Sequence, residues 1–320
     1  MSLRSAGRTG GRRSTGHRRD GPALGGIASM VQRLAVLLAA GVAPATAWSY
    51  LDATTVVVRI AADSSRGVPI ATAITTALPD VPERERPAWR ALAAAWWVAA
   101  EAGAPMAPSL RAFAVSLRSL ADAQREIAVA LSAPVATARL VIVLPGVGVL
   151  FGLVLGFDML GILFTTLPGA CCLLIGCALL ALAYAWNRRL VSAARPRDVA
   201  PGLRFELTAI AVSGGTSLDR ASSSVRRALA ATEVADDEAA EAAVEAVLDL
   251  SRRAGVPAGE LLRSEAEEAR RAARADAAAG AAVLGVKLML PLGLCVLPAF
   301  MVLAVAPLLI AVVTSTVSGF

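Results

Sequence analysis

Long apolar runs occupy 140–157, 167–186 and 281–313, Lys287 being the one charge within them, and the stretches between them carry ordinary charge density. About 18 or more consecutive apolar residues read as a membrane-spanning helix, because ~20 residues cross the hydrocarbon core. The pattern predicts three such helices, at about 138–157, about 167–186 and 281–313. Elsewhere the apolar positions recur with helical period. Met30, Leu34, Leu37 and Leu38 form one face of an early helix, and Phe205, Ala209 and Val212 do likewise further on. Glu267 and Arg271, like Asp249 and Arg253, sit four apart, which suits exposed helix faces. No convincing run of strands interrupts this.

Four helix–elbow–helix signals punctuate the polar stretches. They are Ala40-Gly41-Val42-Ala43-Pro44, Ala102-Gly103-Ala104-Pro105, Ser213-Gly214-Gly215-Thr216-Ser217 and Ala254-Gly255-Val256-Pro257. Gly suits the left-handed position that ends a helix. Pro at the first helical position, or Ser/Thr at the N-cap, starts the next. The second and fourth elbows align at an offset of 152 residues, and Leu110-Arg111 then matches Leu262-Arg263. Leu144-Pro145 matches Leu290-Pro291 at an offset of 146. A unit of helical domain plus membrane segment therefore looks duplicated. The first copy carries extra sequence within 54–87. The predicted architecture is an all-α integral membrane protein with two duplicated cytoplasmic helical-bundle domains and three transmembrane helices. Its parts are a disordered basic tail at 1–25, a first domain at 26–133, a transmembrane hairpin at 134–187, a second domain at 188–280, a third membrane segment at 281–313 and an external tail at 314–320.

Composition agrees. The 320 residues are 56% hydrophobic, with a mean hydropathy of +0.63, above the ~45–50% apolar of soluble domains. Charge orients the segments, because Arg and Lys collect on the cytoplasmic side. Arg118, Arg125 and Arg139 precede the first run; Arg188, Arg189, Arg195 and Arg197 follow the second; Arg270, Arg271, Arg274 and Lys287 precede the third. The connection at 158–166 carries only Asp158, and residues after Val313 have no charged side chain. The N-terminus and 188–280 are expected inside the cell, and the C-terminus outside. Within 1–22, six Arg against Asp20 leave +5. Such an arm favours the anionic inner face of the bilayer. It lacks the interleaved aromatics that would suggest nucleic acid, and no apolar core follows it as a signal peptide would need.

The first membrane run carries Gly148, Gly152 and Gly156 at every fourth position, a spacing that lets helices approach closely. The third contains Pro291, Pro298 and Pro307, so kinks are expected. Lys287 near its start can snorkel to the inner interface; a functional intramembrane charge is the rival reading.

Catalytic chemistry has few candidates. Cys171, Cys172, Cys177 and Cys295 all lie in apolar runs, and His17 is the only histidine. No phosphate-binding, dinucleotide, zinc-protease or nucleophile-elbow motif occurs. Val212-Ser213-Gly214-Gly215 only loosely resembles a serine motif and reads as a helix end. The acidic cluster Glu233, Asp236, Asp237, Glu238, Glu241 and Glu245 suits a basic partner or a metal, or else a solvated loop and helix start. Glu101, beside Trp96 and Trp97, faces a partner or supports packing. The candidate partner-interface residues are Glu233, Asp236, Asp237, Glu241, Arg252, Arg253, Arg270 and Arg271. No enzyme activity and no cofactor is expected. A small transporter or channel subunit is the alternative function, with Asp158 and Lys287 as its polar path.

Three stretches resemble the type II secretion system F family, the GspF/PilC-like platform proteins, and most of all its Tad (Flp) pilus branch, TadB/TadC-like. They are 34–42, 207–218 and 287–300, the last including Lys287, Pro291, Pro298 and Phe300 of a Leu-Pro-Ala-Phe motif. The resemblance implies a multi-pass platform in the bacterial cytoplasmic (inner) membrane. It would couple a cytoplasmic secretion ATPase to extraction and assembly of pilin or pseudopilin subunits. The implied partners are that ATPase, the pilins, the lipid bilayer and further platform subunits, as a homo-oligomer or with a paralogue; nucleic acid is not among them. The family offers no catalytic residue to transfer.

Overall fold

The computed structural model describes residues 23–154, 161, 163–164, 166–193, 201–235 and 237–317. The basic arm, Gly156, Asp158, Arg195, Arg197 and Asp236 lie outside these residues, as does most of the 158–166 connection. Among the described residues every regular element is helical.

The first helical group comprises α1 (Ala23–Ala39), the short α2 (Pro44–Ala47), α3 (Thr55–Ser65), α4 (Ile70–Thr76), α5 (Arg86–Ala102) and the start of α6 (Met106–Val154). The second comprises α8 (Leu203–Ser213), α9 (Leu218–Ala231), α10 (Glu238–Ala254) and α11 (Ala258–Lys287). Between them runs α7 (Leu167–Ala193). The extra sequence at 54–87 forms α3 and α4.

The elbows form as the glycines predict. Gly41, Gly103, Gly215 and Gly255 all take positive φ, from +65° to +85°. Pro44 opens α2, whereas Pro257, expected at the first helical position, takes the N-cap place one residue before the helix starts at Ala258. In each group the first helix packs along the last, α1 on α6 and α8 on α11. The buried stripe of α1 is rotated from the expected one. Leu24, Ile27, Ala28, Val31, Leu34 and Ala35 are buried, while Met30, Leu37 and Leu38 pack half-buried at its edge. Phe205 and Ala209 are buried as expected, against Val244, Leu248 and Leu262, with Val212 partly buried beside them.

One apolar core runs through both groups. Leu207, Ile210, Ala211, Val225 and Leu229 of the second belong to the same cluster as Trp48, Ile60, Leu92, Trp96 and Phe113 of the first. Ala-rich α5 makes this possible. Its Ala91, Ala93, Ala94, Ala95 and Ala99 are all buried, and small side chains let neighbouring backbones approach on several sides.

Two elements cross the expected domain boundaries. The 49-residue α6 continues from the helical group into the apolar run through Pro145 without a break. At 1.5 Å per residue it is about 74 Å long, more than twice the ~30 Å hydrocarbon thickness. Helix α11 likewise leads into the C-terminal segment 289–317. Among the described residues, two helical stretches are long and apolar enough to cross a membrane, Leu167–Leu190 and Ala258–Ile310. Their outward side chains are large and apolar: Leu167 is 84% exposed, Leu174 71% and Leu294 68%. Each forgoes about 1.5–3 kcal/mol of burial when left in water, a cost that a hydrocarbon surrounding would remove.

Candidate functional site

The two helical groups meet along α5, in a seam of hydrogen-bonded charge. At one end of the seam the Arg90 guanidinium lies 2.6 Å from the Glu233 carboxylate. At the other end Glu101 accepts from Ser224 Oγ at 2.7 Å, Arg227 at 2.5 Å and Trp97 Nε1 at 3.0 Å. The Ser224 hydroxyl foremost, then Arg227 and Trp97, holds the Glu101 carboxyl below the usual carboxylate range, against the opposing pull of burial. Glu101 therefore packs within the chain, bridging α5 to α9. Beside it the backbones touch: a Cβ added to Gly214 would collide with the Ala102 carbonyl oxygen.

A second knot ties α6, α8 and α11. Ser116 Oγ donates to Glu206 at 2.6 Å, and Arg270 donates to Glu206 at 2.8 Å and to Ser116 Oγ at 2.9 Å. The Glu206 and Arg270 side chains are only 8% and 17% exposed. Arg274 adds a hydrogen bond to Ser119 one turn on. Charges this buried persist only when paired.

Most of the predicted interface residues have internal partners. Glu233 binds Arg90 and sits at a φ of 52°, the only positive φ of a non-glycine among the described residues. Asp237 caps α10, accepting from the Ala239 amide at 3.0 Å. Glu241 pairs with buried Arg204 at 2.9 Å and with Arg226 at 3.6 Å. A small pocket opens there, lined by Arg204, Thr208, Ser222, Glu241 and Glu245. Arg252 reaches Asp219 at 2.6 Å. The pairs expected at four-residue spacing form on the surface, Arg253 with Asp249 at 2.9 Å and Arg271 with Glu267 at 3.7 Å. Among the described residues no group of His, Cys, Asp or Glu could hold a metal ion. Ser213 ends α8, its hydroxyl donating to the Ile210 carbonyl at 2.7 Å.

Sequence reasoning missed Ser116, Glu206, Ser224 and Arg227. The signal was there for Glu206, a carboxylate among Leu203, Phe205, Leu207 and Ile210 on one short helix. Such a residue must find a cation.

Below the seam, the end of α6, α7 and the C-terminal segment pack through glycine. A Cβ on Gly148 would stand 2.7 Å from Ala304 Cβ and 3.0 Å from Phe300 Cε2. One on Gly176 would collide with the Leu303 side chain. Cys295 and Val296 bury against Ala183, flanked by Leu180 and Trp186. Lys287 closes α11 with its side chain exposed; Pro291 is buried, and Pro298 and Phe300 are half-buried.

Two long helices, α6 and α11, join the charged seam to the apolar trio of the α6 end, α7 and the C-terminal segment. Comparison with known proteins found no matching curated protein and no matching solved structure. A family model did match, over residues 30–154, from within α1 to the end of α6: type II secretion system (T2SS), protein F. Proteins of that family are inner-membrane components that assemble with secretion machinery. The chain therefore carries a type II secretion system protein F domain at residues 30–154, which fits a secretion or pilus platform protein.

Proposed function

We propose that this protein is an inner-membrane platform that couples a cytoplasmic secretion ATPase to pilin or pseudopilin assembly, of the Tad (Flp) pilus type. The observation that carries the reading is the family match over α1–α6, a span in which charged helices run unbroken into an apolar helix end. The side chains exposed there, Val147, Leu150, Phe151 and Val154, are apolar. They support a third membrane span beside the two long apolar stretches, with the helical groups inside the cell and the C-terminus outside. The shared order of first helix, elbow, last helix and apolar continuation supports duplication of one unit.

Such a protein needs no active site, since the ATPase supplies the work. Its surface must instead grip a partner. Arg271, 63% exposed, is where charge reversal tests ATPase binding without touching the seam. Arg270 is unsuitable, because reversing it would strip Glu206 of its partner. Deleting the gene should abolish pilus assembly or secretion while pilin still accumulates. Normal assembly in the deletion strain would sink the proposal.

A further inference from the structure

Apart from the packing of the two last helices on each other, α6 on α11, the junction between the helical groups is one-sided. Helix α5 of the first docks on α8 and α9 of the second. In a two-fold junction, α10 would dock back on the first group; it packs instead on α8 and α11 of its own. A one-sided contact between like units is heterologous, and it leaves one unused face at each end.

The first unused face can be located through the 152-residue offset of the second and fourth elbows. On α5 the docking row is Arg90, Ala94, Val98 and Ala102, spaced by four. Its ends touch the second group, Arg90 at Glu233 and Ala102 at Gly214, and Ala94 and Val98 between them are fully buried. The same row on α10 is Ala242, Ala246, Leu250 and Ala254, and all four are exposed. The helix faces turned to each group's own core also correspond: Leu92, Trp96 and Ala99 against Val244, Leu248 and Ser251, all buried. Beyond the elbow, buried Ala104 corresponds to Val256, which is 39% exposed. So α10 repeats the apolar docking row of α5 with nothing on it among the described residues.

The complementary face lies on α1. The left-handed glycines Gly215 and Gly41 set the correspondence. Leu207, Ile210, Ala211 and Gly214, which meet the first group, become Arg33, Val36, Leu37 and Ala40. Phe205 and Ala209, which face their own group, become buried Val31 and Ala35. Val36 is 54% exposed where Ile210 is buried, and Ala40 is exposed. The charges are exchanged as well. Arg253 stands where Glu101 stands in the internal seam, and the α1 face carries Asp52, 84% exposed and paired with Arg33.

We propose that copies of this chain associate head to tail, the α10 row of one copy seated on the α1 face of the next, repeating the contact already made inside each chain. This rests on the duplication proposed above.

The test is site-directed crosslinking in native membranes with a short bis-maleimide. The background chain has Cys171, Cys172, Cys177 and Cys295 replaced by Ala. Glu101→Cys with Ser224→Cys reports the internal seam. Val36→Cys with Leu250→Cys reports the contact between copies. The expected result is an internal crosslink in the first pair and a ladder of covalent dimers and larger species in the second. Neither Val36→Cys nor Leu250→Cys alone should form dimers. Dimers from either single variant would mean a two-fold contact and overturn the proposal, as would capture of a different protein by Leu250→Cys. An internal crosslink without a ladder would overturn the head-to-tail contact and leave the duplication standing. Loss of the internal crosslink in a folded chain would overturn both.

Discussion

The knot of Ser116, Glu206 and Arg270 offers the sharpest test of how the helical groups are held together. At 2.8 Å, the gross attraction between the Glu206 and Arg270 charges is roughly 6 kcal/mol at an effective dielectric constant of about 20. Desolvating two charges this buried costs several kcal/mol per ion, so the pair contributes little net stability. Removing one charge is a different matter. It leaves the other buried without compensation, and about 3–5 kcal/mol is lost.

Glu206→Gln alone should therefore destabilise strongly, because Gln can keep the Ser116 hydroxyl bond but cannot neutralise Arg270. Arg270→Met alone should do the same by isolating Glu206. The double variant has no buried charge and should recover most of the loss. At about 2–4 °C per kcal/mol, each single variant should melt on the order of 10 °C below wild type, and the double variant within a few degrees of it. The measurement is thermal unfolding of the purified full chain in detergent, followed by tryptophan emission. Trp48, Trp89, Trp96 and Trp97 all lie in the group that the knot secures. Two small single-variant losses that simply add would show that the pair is water-accessible and that the seam is held by apolar packing alone.

The same seam yields two further outcomes. Gly214→Ala drives a methyl group into the Ala102 carbonyl, which backbone cannot relieve cheaply. The docking of α8 on α5 should loosen by about 1–3 kcal/mol, seen as a lower melting temperature with α-helical circular dichroism unchanged at room temperature. The carboxyl of Glu101 is held low by Ser224, Arg227 and Trp97, so its contribution is complete above the ordinary carboxylate range and fades as pH falls through its depressed value. Melting temperature measured from about pH 6 to pH 3 should fall more steeply for wild type than for Glu101→Gln, and parallel curves would refute the role assigned to this carboxylate.

The elbows were legible because each rests on local chemistry. A glycine that must take positive φ, next to a proline or hydroxyl residue, depends on nothing distant. Surface pairs such as Asp249 with Arg253 were legible for the same reason. What the sequence could not tell was which group covers which face. Periodicity marks α8 as having an apolar side, yet the helix is buried nearly all round, because α5 covers one side while α10 and α11 cover the other. Glu101 showed the same ambiguity: its partners Ser224 and Arg227 lie more than a hundred residues away in the chain. The acidic cluster left a partner surface and a solvated helix start both open, because adjacency in sequence does not show where each acid turns. In three dimensions Glu233 turns to Arg90 and Glu241 to Arg204.

The prolines of the C-terminal segment carry the reasoning from the seam to the membrane. A proline in a helix lacks an N–H and its ring presses on the carbonyl four residues back. Four residues before Pro298 is Leu294, inside the π-helical stretch Leu292–Val296. Four before Pro307 is Leu303, inside the π-helical stretch Met301–Val305. A wider turn relieves the clash and forgives the missing donor, so the prolines locate both stretches. Those stretches also make the contacts with the other apolar helices, Cys295 and Val296 on Ala183, Leu303 on Gly176 and Ala304 on Gly148. Each π turn holds about one residue more than an α-helical turn, and so rotates the remainder of the helix by roughly 100°. Pro298→Ala with Pro307→Ala should let the helix tighten and turn Leu303 away from Gly176. Cysteines at Gly148 or Gly176 are too disruptive to report this, so Ala183→Cys against native Cys295 is the better probe for the inner contact, with Cys171, Cys172 and Cys177 replaced by Ala. The expected result is efficient crosslinking with the prolines present and weak crosslinking without them, at equal protein level. Equal crosslinking in both would mean that apolar packing alone sets the helix shape and that the prolines are incidental to it.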